Sequence, residues 1–395
     1  MLEGYRILDL GQVIAGTIGG MILADMGAEV IKIESPLGDL GRNPTIAGIG
    51  NVSSIFLTFN RGKKSVVLDL KNDNGKEVFL DLVAASDAVL ANFRPGTMDR
   101  LGLGYEAMRG RNPEIVFVDS SGFGETGPWR DRPAFDLVEI AMSGHMSITG
   151  EPGRPPGRPG TPSADMSTAL YCALACMAGL LGKAKNGAHM EVPMFDVQLA
   201  MLGYISTMYL NKGDLPDPPG NAHEYMVPYQ AFATATDHIV LSPREDRFYK
   251  KMCEAMGIPE LGDDPRFRTN DLRAENRNEL IPVMEKILLR KSAETWLSIF
   301  DEAEVPAAPV NKLNRALENE QVEARELIRN FSYPGSGTVR VVGNPIRDLT
   351  RHRNHDPGPA PLLGEHTGEI LKDVLGYGDE KIRTVMDSGA AQGPP

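Results

Sequence analysis

Cysteine is nearly absent: Cys172, Cys176 and Cys253 are the only three in 395 residues. Histidine is scarce at seven, and none gathers beside the cysteines. A disulfide-stapled scaffold and a zinc site are both disfavoured on that count. Cys172 and Cys176 stand four apart in an apolar segment, where a free thiol behaves as a small hydrophobe. Positive charge is not in excess either. The 41 basic and 53 acidic side chains leave a net −12, which argues against general binding of nucleic acid or of an anionic membrane. The longest apolar run, residues 169–181, is short for a bilayer span, and no leader with a basic start and cleavage site opens the sequence. Internal repeats and low-complexity stretches are also missing. What remains is 42% apolar and 24% charged, the make-up of a soluble globular protein. We expect a reduced, cytoplasmic, metal-free chain, too long for one ordinary core and so built as two domains. Any anionic ligand must meet a local cluster of Arg and Lys.

Residues 6–10 read as a short buried strand ending at Gly11. Gly16, Gly19 and Gly20 punctuate the next segment, which leads into a helix through Met26, and residues 28–34 form a second strand closed by Glu34. This strand–helix–strand unit has the outline of a dinucleotide-binding fold. The glycines do not space as G-x-G-x-x-G, however, so a nicotinamide site is not expected. The basic turn at residues 60–65 carries Arg61, Lys63 and Lys64 into a strand; it is either a solvated entry or a phosphate contact. A helix over 75–85 and a strand over 88–93 follow, then Arg94-Pro95-Gly96 and Arg100. Loops leaving the carboxyl ends of strands are where α/β sheets bind ligands.

Residues 114–120 give another strand and 122–128 a glycine-rich turn. Helices are expected over 136–143 and 194–209, with a strand-like piece at 190–192. The proline-rich stretch 215–220 marks a domain boundary. Beyond it come a hairpin over 231–241 turning near Asp237 and His238, helices over 246–256, 276–289 and 293–303, strands near 337–342 and a last helix through Leu375. Residues 388–395 are expected to fray. This gives a first domain over 1–214, a second over 215–320 and a return of 321–395 to the first.

Asp165 stands between a Gly/Pro-rich loop, residues 151–162, and the apolar run. Locally it reads as a helix N-cap, its carboxylate accepting free backbone N–H groups. It also reads as a nucleophile, since a carboxylate in a dry pocket gains reactivity and nearby N–H groups can stabilise an oxyanion.

Several stretches together resemble one family. They are Leu8-Asp9-Leu10, the run from Gly27 to Glu34, Asn60-Arg61-Gly62-Lys63-Lys64-Ser65 with Leu68-Asp69-Leu70-Lys71, and Asn92-Phe93-Arg94-Pro95-Gly96. Ser121-Gly122-Phe123-Gly124, Ala164-Asp165, Val227-Pro228-Tyr229-Gln230-Ala231-Phe232 and Pro361-Leu362-Leu363-Gly364-Glu365-His366-Thr367 complete the set, in order and nearly over the full length. The chain resembles the class III CoA-transferases, of formyl-CoA and carnitine type, and is most similar to members that use succinyl-CoA and dicarboxylates.

The resemblance implies an α/β enzyme with a Rossmann-like large domain and a smaller α+β domain, two chains interlocking as a dimer. It makes Asp165 the nucleophile that forms an acyl anhydride and then an aspartyl-CoA thioester. Ile14, Ala15, Leu68, Lys71, Asn92, Phe93, Arg94 and Arg100 match segments that hold CoA, and Phe135 and Asp136 match one that approaches the pantetheine. No tightly bound cofactor is implied; CoA and acyl-CoA are substrates. Ser35 and Pro133 replace basic residues of some members, so Arg42 or Arg132 would have to compensate. Two alternatives follow. An α-methylacyl-CoA racemase needs a second acid/base, and Phe135 stands where its histidine would be. Some members pair with a related sister chain, and this one, keeping Asp165, would be the active partner.

Overall fold

The computed structural model describes residues 1–182, 187–350 and 358–394. The chain divides into two compact units. One comprises Met1–His145, Pro159–Asp214 and Arg325–Pro395; the other comprises Met146–Arg158 and Leu215–Ala324.

In chain order the first unit contains β1 (Arg6–Asp9), α1 (Ala15–Asp25), β2 (Glu29–Glu34), β3 (Lys64–Leu68), α2 (Asp73–Ala84), β4 (Ala88–Ala91), β5 (Val116–Asp119), α3 (Asp136–Met142), α4 (Ser163–Leu181), β6 (Ala188–Glu191), α5 (Met194–Met201), α6 (Tyr204–Lys212) and β7 (Ala391–Gln392). The strands form one sheet in the order β7-β3-β2-β1-β4-β5-β6. All pairs are parallel except β7 on β3, where Ala391 faces Leu68.

The inner strands are nearly continuous apolar runs because both faces of a parallel sheet are covered. On one face Leu8, Ile31, Val66, Val89 and Phe117 pack against Val78, Phe79 and Leu82 of α2 and against Ile370 and Leu371. On the other, Ile7, Val30, Leu90, Val116 and Val118 pack against Leu23 and Ala24 of α1 and Cys172, Ala173, Cys176 and Leu180 of α4. The two cysteines are therefore core side chains, and burial pushes both thiols up to about 12. At 19 residues α4 is long and apolar enough to cross a membrane by length and composition alone, and half of that stretch is buried in this unit.

Three expectations change. The helix expected over 194–209 is two helices, α5 and α6, divided at Gly203, whose φ of 56° lies in the left-handed region. A further helix, Asp379–Asp387, lies beyond Leu375. The tail does not fray over 388–394: Ala390 and Ala391 are buried, Asp69 N–H donates to Ala390 O at 2.9 Å, and β7 closes one sheet edge. Pro395 lies outside the described residues.

The second unit holds an antiparallel hairpin, Gln230–Ala233 with His238–Leu241, extended by Ala307–Pro309. Its turn is closed by Thr234, whose N–H and hydroxyl both donate to Asp237 O. Helices Asp246–Ala255, Arg277–Leu288 and Ala293–Glu302 bring Tyr249, Leu280, Met284, Trp296 and Phe300 onto Phe232, Ile239 and Leu241. Arg273 is fully buried there, donating to Val227 O and Phe267 O beneath the Tyr249 ring.

Candidate active site

The strand order reverses between β1 and β4, so the loops leaving their carboxyl ends diverge and leave a crevice. A cavity of about 400 Å³ lies there. Residues 12–15 after β1, 92–95 after β4 and 120–122 after β5 line it, with Arg132, Ala134, Phe135, Asp136 and Asp165.

The loop after β1 is held at almost every peptide group by side chains, three of them distant in sequence. Gly11 N–H donates to Asp9 Oδ1 at 2.7 Å, and Gly11 O accepts from Lys32 Nζ at 2.6 Å. Gln12 exchanges two bonds with the Asn92 amide. Val13 N–H donates to Asp39 Oδ1 at 3.0 Å, and Val13 O accepts from the Thr17 hydroxyl. Val13 itself has φ of 62°, a costly conformation for a β-branched residue, which persists because its surroundings over-determine it. The glycines that missed the nucleotide fingerprint now have a reason. A Cβ on Gly16 would stand 2.6 Å from Gly11 Cα, and one on Gly20 would stand 2.6 Å from Asp9 Oδ2. They let α1 close upon the loop and the buried carboxylate.

Asp165 lies in the first turn of α4 and is not its cap. The capping residue, Pro162, offers no side-chain bond. Asp136, at the start of α3, supplies it: its Oδ1 accepts from Ala164 N–H at 2.9 Å and Asp165 N–H at 3.2 Å. The Asp165 carboxyl is thus free of capping and faces the cavity wall residues. Burial, and then the nearby Asp136 charge, push it up to about 7. One turn along α3, Glu139 is fully buried and neither carboxyl oxygen has a hydrogen-bond partner among the described residues. Burial pushes it up to about 7 as well, behind the wall formed by Gly122 and Ala134.

Of the residues expected from sequence, Ile14, Ala15, Asn92, Phe93, Arg94, Phe135, Asp136 and Asp165 meet on this cavity. Leu68, Lys71 and Arg100 are not among its lining residues. Leu68 is in the core, Lys71 is exposed, and the exposed Arg100 guanidinium donates to Thr97 Oγ1 at 3.0 Å and to Pro95 O. Phe135 is 74% exposed and, being a hydrocarbon ring, transfers no proton.

The phosphate reading of the basic turn is overturned. Arg61 is buried in a two-point pair with Asp25, and Lys63 Nζ is buried on Asp9 Oδ2 at 2.6 Å, Thr17 O at 2.7 Å and Asn60 Oδ1 at 2.9 Å. Lys64 pairs with Glu29 and Glu369. Arg42 is not a free cation either: Glu34 takes it through two bonds of 2.7 Å, beneath which lies the Phe56 ring. Sequence reasoning missed Lys32, Asp39 and Glu139. Their signal is charge inside apolar segments, which becomes informative only when partners far along the chain are known.

A crevice at the switch point of the sheet with a poorly solvated carboxyl at its wall can host acyl transfer. The family model for CoA-transferase family III matches residues 2–367. The chain is 36% identical over 391 residues to the succinyl-CoA:glutarate CoA-transferase of Homo sapiens, covering 98% of this chain and 89% of that protein. It is 36% identical over 376 residues to the acetyl-CoA:oxalate CoA-transferase of Acetobacter aceti, covering 94% and 95%. A solved structure of a CAIB/BAIF family protein from Brucella suis superposes with a TM-score of 0.83 at 32% identity, covering 94% of this chain and 99% of that one. The chain therefore belongs to CoA-transferase family III and is an enzyme that transfers CoA.

Proposed function

We propose that the enzyme moves CoA from succinyl-CoA to a dicarboxylic acid through covalent intermediates on Asp165. The observation that carries this reading is the position of Asp165, on the switch-point cavity with its carboxyl poorly solvated. Both relatives above are named for a dicarboxylate acceptor, and one for succinyl-CoA as donor. A carboxylate oxygen of Asp165 attacks the thioester carbonyl carbon, the C–S bond breaks, and CoA leaves as thiolate. That thiolate attacks the aspartyl carbonyl of the anhydride, succinate departs as carboxylate, and an aspartyl-CoA thioester remains. The acceptor carboxylate displaces the thiolate in turn. The thiolate then attacks the acceptor's side of the new anhydride and frees Asp165. No net proton is consumed, and each step keeps the acyl group activated. The intermediates survive only where water is kept out. Ile14, Ala15, Asn92, Phe93 and Arg94 would hold CoA on this cavity, with Arg100 outside it toward the phosphates.

Incubation with succinyl-CoA and a panel of dicarboxylic acids, read by mass spectrometry, is the test. New acyl-CoA species are expected. If acetyl-CoA is consumed and succinyl-CoA is inert, the donor assignment is wrong.

The pH dependence follows from the same groups. Only ionised Asp165 attacks, so activity rises as pH passes through about 7. Asp136→Asn keeps an acceptor for the two α4 N–H groups but removes the charge that helps to raise Asp165. The acid limb of kcat/KM should therefore move to lower pH. An unmoved limb would mean that Asp136 acts on Asp165 by position alone.

We also infer an interlocked homodimer. Leu170 and Leu174 of α4 and Tyr204 and Leu210 of α6 are exposed apolar side chains that a second copy would cover. Sedimentation of the purified chain should give a dimer mass. A monomer would refute the assembly, and a requirement for a second, related chain would replace the homodimer by a heteromer.

A further inference from the structure

We propose that Arg132 grips the far carboxylate of a dicarboxylic acyl group, and so sets the enzyme's preference for dicarboxylates; the inference rests on the transfer proposed at Asp165. Several arginines of this unit are already neutralised. Arg42 is held by Glu34, Arg61 by Asp25, and Arg130, two residues away, by Glu125 and Asp131. Arg132 lines the cavity with Asp165 and has no acidic partner among the described residues.

Its side chain, exposed like its neighbours, is placed against an aromatic ring. Arg132 N–H donates to Trp129 O at 2.9 Å, and the guanidinium carbon lies 5.4 Å from the centre of the Trp129 ring. That ring is itself set edge-on against Phe123 at 5.7 Å and Phe195 at 5.4 Å. A cation resting on an aromatic face keeps its charge and leaves its N–H edge open, the edge that matches a planar carboxylate through two parallel bonds.

The chemistry of the proposed substrate asks for such a group. A half-thioester of a four-carbon dicarboxylic acid carries a second carboxylate three carbon–carbon bonds beyond the reacting carbonyl. With the reacting carbonyl at Asp165, that anion enters a cavity already lined by two acidic residues, Asp136 and Asp165. Without an unpaired cation the cavity would repel it. Arg94, the other arginine on the cavity, follows β4 and precedes Gly96, where a Cβ would stand 3.2 Å from the Arg100 guanidinium. That side of the crevice is basic enough to take the CoA phosphates and leaves Arg132 for the acyl group.

The test compares two donors of equal chain length, succinyl-CoA and butyryl-CoA, against one common acceptor. In a ping-pong enzyme kcat/KM for the donor reports the donor half-reaction alone. For Arg132→Gln the ratio of kcat/KM, succinyl-CoA over butyryl-CoA, should fall about 100-fold, as for truncation of one member of a charged, hydrogen-bonded pair. Arg132→Lys keeps the charge but loses the two-point geometry and should recover part of the ratio. Trp129→Leu, which removes the platform and leaves the cation, should lower the ratio by less than Arg132→Gln. An equal fall for both donors would overturn the proposal and give Arg132 to the CoA phosphates; unchanged kcat/KM for both donors would overturn it outright. Failure of the wild-type enzyme to use succinyl-CoA would instead strike the donor assignment on which the proposal rests. Thermal melts of each variant separate these outcomes from misfolding.

Discussion

Asp165→Ala is expected to lower CoA transfer by about 10⁴-fold or more while acyl-CoA still binds. The size of the effect follows from the absence of a substitute among the described residues that line the cavity. Asp136 is the only other carboxylate there, and its Oδ1 is committed to two backbone N–H groups of α4. Glu139 is fully buried behind Gly122 and does not line the cavity. Quenched wild-type enzyme should carry CoA on the peptide that contains Asp165, and the alanine variant should not. The pH profile adds an independent check, since a nucleophile that ionises near 7 gives a rate rising through that value. Turnover that survives the substitution would make Asp165 no more than an acid favourably placed in the first turn of α4. The nucleophile would then have to be sought elsewhere.

How much of this was legible in the sequence depended on the distance between partners. The inner strands announce themselves, because residues such as Ile7 and Leu8 are buried on opposite faces of a covered sheet and the run reads as apolar throughout. Asp165 was legible only through its motif. Its local reading as a cap fails because the capping carboxylate, Asp136, comes from another helix, and capping rules search one turn of the same helix. Arg61, Lys63 and Lys64 looked like a surface turn for a similar reason. Their partners Asp25, Asp9 and Glu29 lie 36, 54 and 35 positions away, and nothing nearby marks them as buried. The two residues of β7 are too few to show a period, so a tail that closes the sheet reads as a fraying end. Sequence composition placed a boundary near residue 215. It held no hint that residues 146–158 group with 215–324, because that grouping rests on contacts such as Gly220 N–H to Gly150 O.

The buried charges under the loop after β1 lead to the largest expected loss of stability, that of Lys32→Met. Lys32 and Asp39 pair at 2.7 Å with both side chains 1% exposed. Burial opposes the ammonium charge, but Asp39, Asp9 and Glu34 outweigh it and hold Lys32 above its ordinary value. Asp9, Glu34 and Asp39 are balanced by Lys63, Arg42 and Lys32, three against three. Removing one cation leaves a carboxylate buried without compensation, a change that costs about 3–5 kcal/mol. For a chain of this size, with an unfolding entropy of about 2.1 cal/mol/K per residue, the midpoint of thermal unfolding should fall by about 4–6 °C. Function should suffer separately. Gly11 O loses its donor, Asp39 loses the charge that orients it toward Val13 N–H, and Val13 is then free to leave its strained conformation. The cavity wall would shift, and kcat/KM should drop by about 10–100-fold. Lys32→Met with Asp39→Asn distinguishes the two effects. The double variant carries no orphaned charge, so it should regain part of the lost stability, as a double-mutant cycle would register. It still lacks the donor to Gly11 O, so kcat/KM should stay low. Recovery of both together would mean that the loop is held by stability alone; a single variant that melts like the wild type would mean that the loop never needed this pair.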